Sequence, residues 1–87
     1  MKRKAGFVLQ AIGEDTYAVA VTPEAAGVGS MIKLNATAAL LFAFLENEHS
    51  EEECVALLTE KYAIDERTAR ADIARFLAGL KEASLLA

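Results

Sequence analysis

The sequence predicts an α+β domain in which a three-stranded antiparallel sheet comes first and a three-helix bundle follows. Three observations carry that expectation. Residues 7–34 hold short apolar runs broken by Gly and Pro, residues 35–86 repeat their apolar positions at helical spacing, and Asn35, Ser50 and Asp65 stand where the helical runs begin. With 87 residues, 54% of them apolar, there is room for one modest core, since a chain of this size buries somewhat more than ~60% of its unfolded surface.

Phe7-Val8-Leu9-Gln10-Ala11-Ile12 reads as the first strand, over 7–12. The second, over 16–22, alternates Tyr17, Val19 and Val21 with Ala18 and Ala20. Between them Gly13-Glu14-Asp15 is a hairpin turn, in which Gly13 takes a positive φ without steric cost. Pro23 ends the second strand, and residues 23–29, with Gly27 and Gly29, are expected as a loop. Ser30-Met31-Ile32-Lys33-Leu34 is the third strand, over 30–34. Short connections favour the order 1-2-3, which leaves the third strand on an edge.

Asn35 caps the first helix, expected over 36–47. From Ala36 to Leu45 its only polar residue is Thr37, so it must be covered on most sides and belongs at the centre of the core. Ser50 and Glu53 form a capping box for the second helix, over 51–62, with Glu51 and Glu52 at the positive end of its dipole. Cys54, Leu57, Leu58 and Tyr62 give it an apolar stripe. Asp65 caps the third, over 66–83, where Ala69, Ile73, Phe76, Leu77 and Leu80 recur at spacings of 4, 3, 1 and 3. Glu66 and Arg70 add an i,i+4 ion pair worth ~0.2–0.5 kcal/mol. Leu85 and Leu86 form a tail expected to fold back on the core.

The residue inventory excludes most chemistries. One cysteine, Cys54, makes no intramolecular disulfide, and with one histidine, His49, it cannot fill a zinc site of those residue types. The two are five residues apart, on different sides of any helix, which argues against a Cys–His dyad. Cys54 reads as a buried structural thiol and His49 as an exposed loop residue. Gly27-Val28-Gly29-Ser30 precedes a strand and lacks the lysine of a phosphate loop. Glu46, Glu48, Glu51, Glu52 and Glu53 lack the Asp/Asn and Gly spacing of a calcium loop and read as a solvated acidic patch. No metal, no cofactor and no enzymatic activity are expected. A net charge of -4 argues against a nucleic-acid partner, and the run Phe7 to Leu9 is far too short for a signal peptide or a membrane span. The expected location is the cytoplasm, with no membrane contact.

Two features ask for more than packing. The third strand has no edge protection except Lys33, and open edges invite pairing with another chain. Gly79 interrupts the third helix at a cost of ~1 kcal/mol relative to Ala. At 100° per residue, Asp72, Phe76 and Gly79 share one flank of the core stripe, with Thr68 beside them. Either a groove on that flank or close helix packing accounts for Gly79.

This order of elements, with Leu34-Asn35-x-Thr37-Ala38 opening the first helix and Asp72-x-x-x-Phe76-Leu77-x-x-Leu80 in the third, resembles the PqqD family of pyrroloquinoline quinone biosynthesis. It resembles too the wider group of RiPP recognition elements, whose fold is winged-helix-like. The similarity runs from about Phe7 to Leu86. One departure is Ser84, where such sequences often carry a glycine before the final apolar pair. The resemblance implies a non-enzymatic adaptor that binds the leader of a ribosomally made precursor peptide and presents it to a modifying enzyme, often a radical S-adenosylmethionine enzyme. It implies a leader added as a strand beside strand three and lying against helix three. On that basis the backbone of Ser30, Met31, Ile32, Lys33 and Leu34 supplies the pairing groups, and Thr68, Asp72, Arg75, Phe76 and Gly79 form the wall.

The alternative is a winged-helix DNA-binding or transcription-associated module. Arg67, Arg70, Arg75 and Lys81 favour it, but Glu66, Asp72 and Glu82 dilute them, and the strands precede the helices where a usual wing follows. A third reading is a structural subunit that forms a homodimer through the same open strand edge.

Overall fold

The computed structural model describes residues 1–28 and 31–87. The elements run β1 (Phe7–Ile12), β2 (Asp15–Ala20), α1 (Pro23–Val28), β3 (Met31–Leu34), α2 (Ala36–Phe44), α3 (Glu51–Tyr62) and α4 (Glu66–Glu82). The strands form one antiparallel sheet in the expected order β1-β2-β3. Ile12 pairs with Asp15, so the hairpin turn is the two residues Gly13 and Glu14, and Gly13 sits at φ 65°. Ser30, expected to begin the third strand, lies outside the described residues.

Residues 23–28 correct the expected loop: they form α1. The Thr22 hydroxyl accepts a hydrogen bond from the Ala25 N–H at 3.2 Å and its carbonyl accepts one from Ala26 at 3.0 Å. Pro23 therefore occupies a first-turn position where its missing N–H costs nothing. Ala25 is buried in the core, and Gly6 admits it: a Cβ there would stand 2.5 Å from Thr22 Oγ1 and 2.9 Å from the Ala25 Cβ. The fold thus has four helices among the described residues, the last three being those read from the sequence.

Asn35 Oδ1 accepts from the Ala38 N–H at 2.8 Å and starts α2, whose Leu41 and Phe42 are fully buried at the centre of the core. The helix stops at Phe44, short of the expected residue 47. The N-terminal segment takes over its last carbonyls: the Arg3 N–H donates to the Leu45 carbonyl at 2.9 Å, and Arg3 Nε donates to that of Phe42 at 2.9 Å. The Arg3 guanidinium lies 4.4 Å from the Phe42 ring centroid, and Phe7 meets the same ring edge-on at 5.9 Å. Burial lowers the Arg3 pKa, partly offset by Glu46.

The capping box forms as read, with Glu53 N–H to Ser50 Oγ at 3.1 Å and Ser50 N–H to Glu53 Oε1 at 2.8 Å. Asp65 caps α4 through the Thr68 N–H at 2.7 Å. Arg70 bridges Glu66 at 2.9 Å and Glu52 of α3 at 2.8 Å, and these hydrogen bonds raise its pKa. Cys54 is buried, and burial pushes its thiol up. His49 corrects its reading as an exposed residue: it is half-buried, stacked on Phe44 with ring centroids 3.7 Å apart, and its Nδ1 faces the Glu53 carboxylate at 3.4 Å.

The tail folds back as expected, and the geometry that turns it is a Schellman motif. Ser84 takes φ 58°, its N–H donates to the Lys81 carbonyl at 3.1 Å, and the Leu85 N–H reaches back to Leu80 at 2.7 Å. Leu85 and Leu80 are both buried, the apolar pair that accompanies this cap. Leu86 then bridges Arg3.

Candidate functional site

Hydrogen-bond parity decides which groups β3 leaves free. The Val21 N–H donates to the Gly6 carbonyl at 2.8 Å, and the register places Val21 opposite Gly6. In an antiparallel ladder bonded pairs alternate, so Val8, Gln10 and Ile12 also face β2, through Val19, Tyr17 and Asp15. Thr16 and Ala18 must then face β3, opposite Leu34 and Ile32. The backbone groups of Met31 and Lys33 therefore point outward along the free edge.

Side chains follow the opposite rule. Those of Ile32 and Leu34 turn inward and are half-buried, whereas Met31 and Lys33 lie on the outer face, Lys33 Nζ 3.6 Å from Asp15. Backbone pairing and groove lining are thus divided between alternate residues of one short strand.

Beside this edge runs a groove walled by α4. Its apolar part, about 220 Å³, is lined by Ile32 and Leu34 from β3, by Phe76, Gly79 and Leu80 from α4, and by Leu85 of the tail, among others. A second part, about 190 Å³, is bordered by Asn35, Thr37 and Ala38 at the start of α2 and by Asp72. Arg75 and Phe76 line both, so the two lie side by side. Asp72 and Arg75 pair at 3.4 Å, with the Arg75 side chain 78% exposed at the rim.

Gly79 contributes by absence. A Cβ built on it meets nothing within 4 Å, so close helix packing does not explain it, and it leaves the groove floor open. Thr68 is exposed and lines neither part; its backbone N–H serves the Asp65 cap. The groove brings together Ile32, Leu34, Asp72, Arg75, Phe76 and Gly79 from the expected set. It adds Leu80, Ala83 and Leu85, which the fold-back of the tail announces, and Asn35, whose side chain also caps α2.

The groove is suited to recognition. Each part is smaller than the ~300–1,000 Å³ of small-molecule sites and suits single side chains. Among the described residues no three His, Cys, Asp or Glu are placed to hold a metal ion, and no helix is long and apolar enough to cross a membrane. Arg70 and Arg75 both face carboxylates, which leaves Arg67 and Lys81, near opposite ends of α4, as its cations without an ion pair among the described residues; two separated charges make a poor footprint for a phosphate backbone.

Comparison with known proteins agrees with this picture. The family described as Coenzyme PQQ synthesis protein D (PqqD) matches residues 7–86. The solved structure of TbiB1 in complex with the TbiA(beta) leader peptide shares the fold, with a TM-score of 0.74 and 24% identity over 99% of this chain and 94% of that one. No curated protein matches the chain.

Proposed function

The chain belongs to the PqqD family, and on that premise we propose that it is a non-enzymatic adaptor that binds the leader of a ribosomally made precursor peptide and presents it to a modifying enzyme. The observation that carries this reading is the pairing of an open backbone edge at Met31 and Lys33 with an apolar groove directly beneath it. A peptide laid there as a fourth strand satisfies the free backbone groups and drops alternate side chains between β3 and α4. That TbiB1, of the same fold, is solved with a leader peptide supports it.

The magnitudes are consistent. About four new backbone hydrogen bonds at ~1 kcal/mol each and two or three buried side chains at ~2 kcal/mol each give roughly 8 to 10 kcal/mol. Ordering a disordered leader removes ~2 to 5 kcal/mol. The remaining ~3 to 8 kcal/mol corresponds to millimolar to micromolar binding. A radical S-adenosylmethionine enzyme is the proposed client, and the cytoplasm the proposed location. A homodimer through β3 would use the backbone groups the leader needs, so that self-pairing and leader binding exclude one another.

The test is a titration of labelled protein with the leader of a short precursor encoded beside this chain. Amide shifts concentrated at residues 31–34 and α4 are expected. Shifts that avoid both, or tighter binding of random duplex DNA than of leader, would remove the proposal.

A further inference from the structure

The sheet has a second open edge, and we propose that it is a self-association surface whose occupant is β1 of another copy of this chain, paired antiparallel across a two-fold axis. The same parity that frees Met31 and Lys33 turns the backbone groups of Phe7, Leu9 and Ala11 away from β2, and none of them bonds elsewhere among the described residues. The strand is six residues long and contains no charge and no proline. Past Phe7 nothing in it is buried, and Val8, Leu9 and Ile12 are 36–46% exposed. Natural edge strands are usually shortened, charged or covered, and this one is none of these.

The contrast with β3 decides the kind of partner. Beside β3 a groove rewards specific side chains of a foreign strand. β1 has no such wall past Phe7, so an added strand gains only the backbone ladder and contact with exposed apolar neighbours. A second β1 supplies both.

Charge sets the direction. Lys4 precedes the strand and Glu14 follows it; both are exposed, and neither forms an ion pair among the described residues. Antiparallel pairing brings the basic end of each copy toward the acidic end of the other, whereas parallel pairing would set like against like. With the two-fold perpendicular to the sheet, both cores stay on one side and a six-stranded sheet results. Its outer strands are the two β3 edges, so the grooves remain open. This inference does not rest on the peptide reading: it concerns the opposite edge.

A single strand pair falls in the small-interface class, so association should be weak and concentration-dependent. Sedimentation equilibrium of the full chain from micromolar to millimolar tests it. The expected mass rises from 9.3 kDa toward twice that value. Leu9→Lys should weaken association at least tenfold while keeping the monomer's circular dichroism. Lys4→Glu and Glu14→Lys, both at exposed positions, should each associate more weakly alone and regain wild-type association when mixed, because only the mixed pair restores opposite charges at both ends. A mass constant at 9.3 kDa overturns the proposal. So does a mixture no better than its components, or concentration-dependent amide protection at Met31 and Lys33 in place of Leu9 and Ala11.

Discussion

Gly79 separates stability from function more cleanly than any other position. Its backbone is helical, and a methyl group placed on it meets nothing within 4 Å. Gly79→Ala therefore removes backbone freedom from the unfolded chain with no clash in the folded one, and should stabilise the protein by about 0.5–1 kcal/mol. For a domain of this size that raises Tm by roughly 2–8 °C. Gly79→Leu should fold equally well, because the open space that accepts a methyl extends into the apolar groove. Its side chain then occupies the volume proposed for a leader residue, whose burial is worth ~1.5–3 kcal/mol. Leader affinity should fall by about ten- to a hundredfold. Thermal melts and calorimetric titration on the three proteins read both quantities. A destabilised Gly79→Ala would mean that the position is packed after all, and a Gly79→Leu that binds leader like the wild type would sink the groove assignment.

The parity of β3 predicts opposite effects for two neighbouring prolines. Lys33→Pro deletes an N–H that faces solvent and should leave urea stability nearly unchanged while weakening leader binding by roughly fivefold, whereas Ile32→Pro breaks the β2–β3 ladder and should unfold the protein at lower urea. Ser84→Gly should stabilise by about 1 kcal/mol in the same assay, since Ser84 holds φ 58°, and a loss of stability would contradict the Schellman geometry. Acid should destabilise: hydrogen bonds from Arg70 hold Glu52 below the usual carboxylate range, and the Ser50 and Thr68 backbone N–H groups do the same for Glu53 and Asp65. Folded carboxylates with depressed pKa bind fewer protons than the unfolded chain near pH 4. Their contribution is therefore complete above the unfolded value of about 4 and is lost as pH falls through the folded one, which urea midpoints between pH 7 and 2 will show.

What the sequence disclosed was mostly local. Asn35, Ser50 and Asp65 cap because their short oxygen-bearing side chains reach an N–H three residues on, a relation written in adjacent letters. The hairpin was legible for the same reason. The signal for α1 was present too, since Thr22-Pro23-Glu24 is a helix start, but Gly27 and Gly29 outweighed it. The end of α2 was not legible at all. The nearest helix-ending residue, Asn47, lies beyond the observed end, and it is Arg3, some forty residues earlier, that takes the helix's final carbonyls. His49 was misread because its stacking on Phe44 arises only once that turn has formed. In the groove, a 100° count placed Asp72, Phe76 and Gly79 on one flank, and they do share a wall. The same count put Thr68 beside them, yet Thr68 lies a further turn toward the helix start and lines neither part of the groove.

Amide hydrogen exchange with and without bound leader tests the central claim most directly. Ile32 and Leu34 already donate into the β2–β3 ladder, while Met31 and Lys33 face outward. Strand addition predicts that leader slows exchange at Met31 and Lys33 and changes Ile32 and Leu34 little. Binding of leader that leaves Met31 and Lys33 exchanging as in the free protein, or that protects Leu9 and Ala11 in their place, would contradict the account.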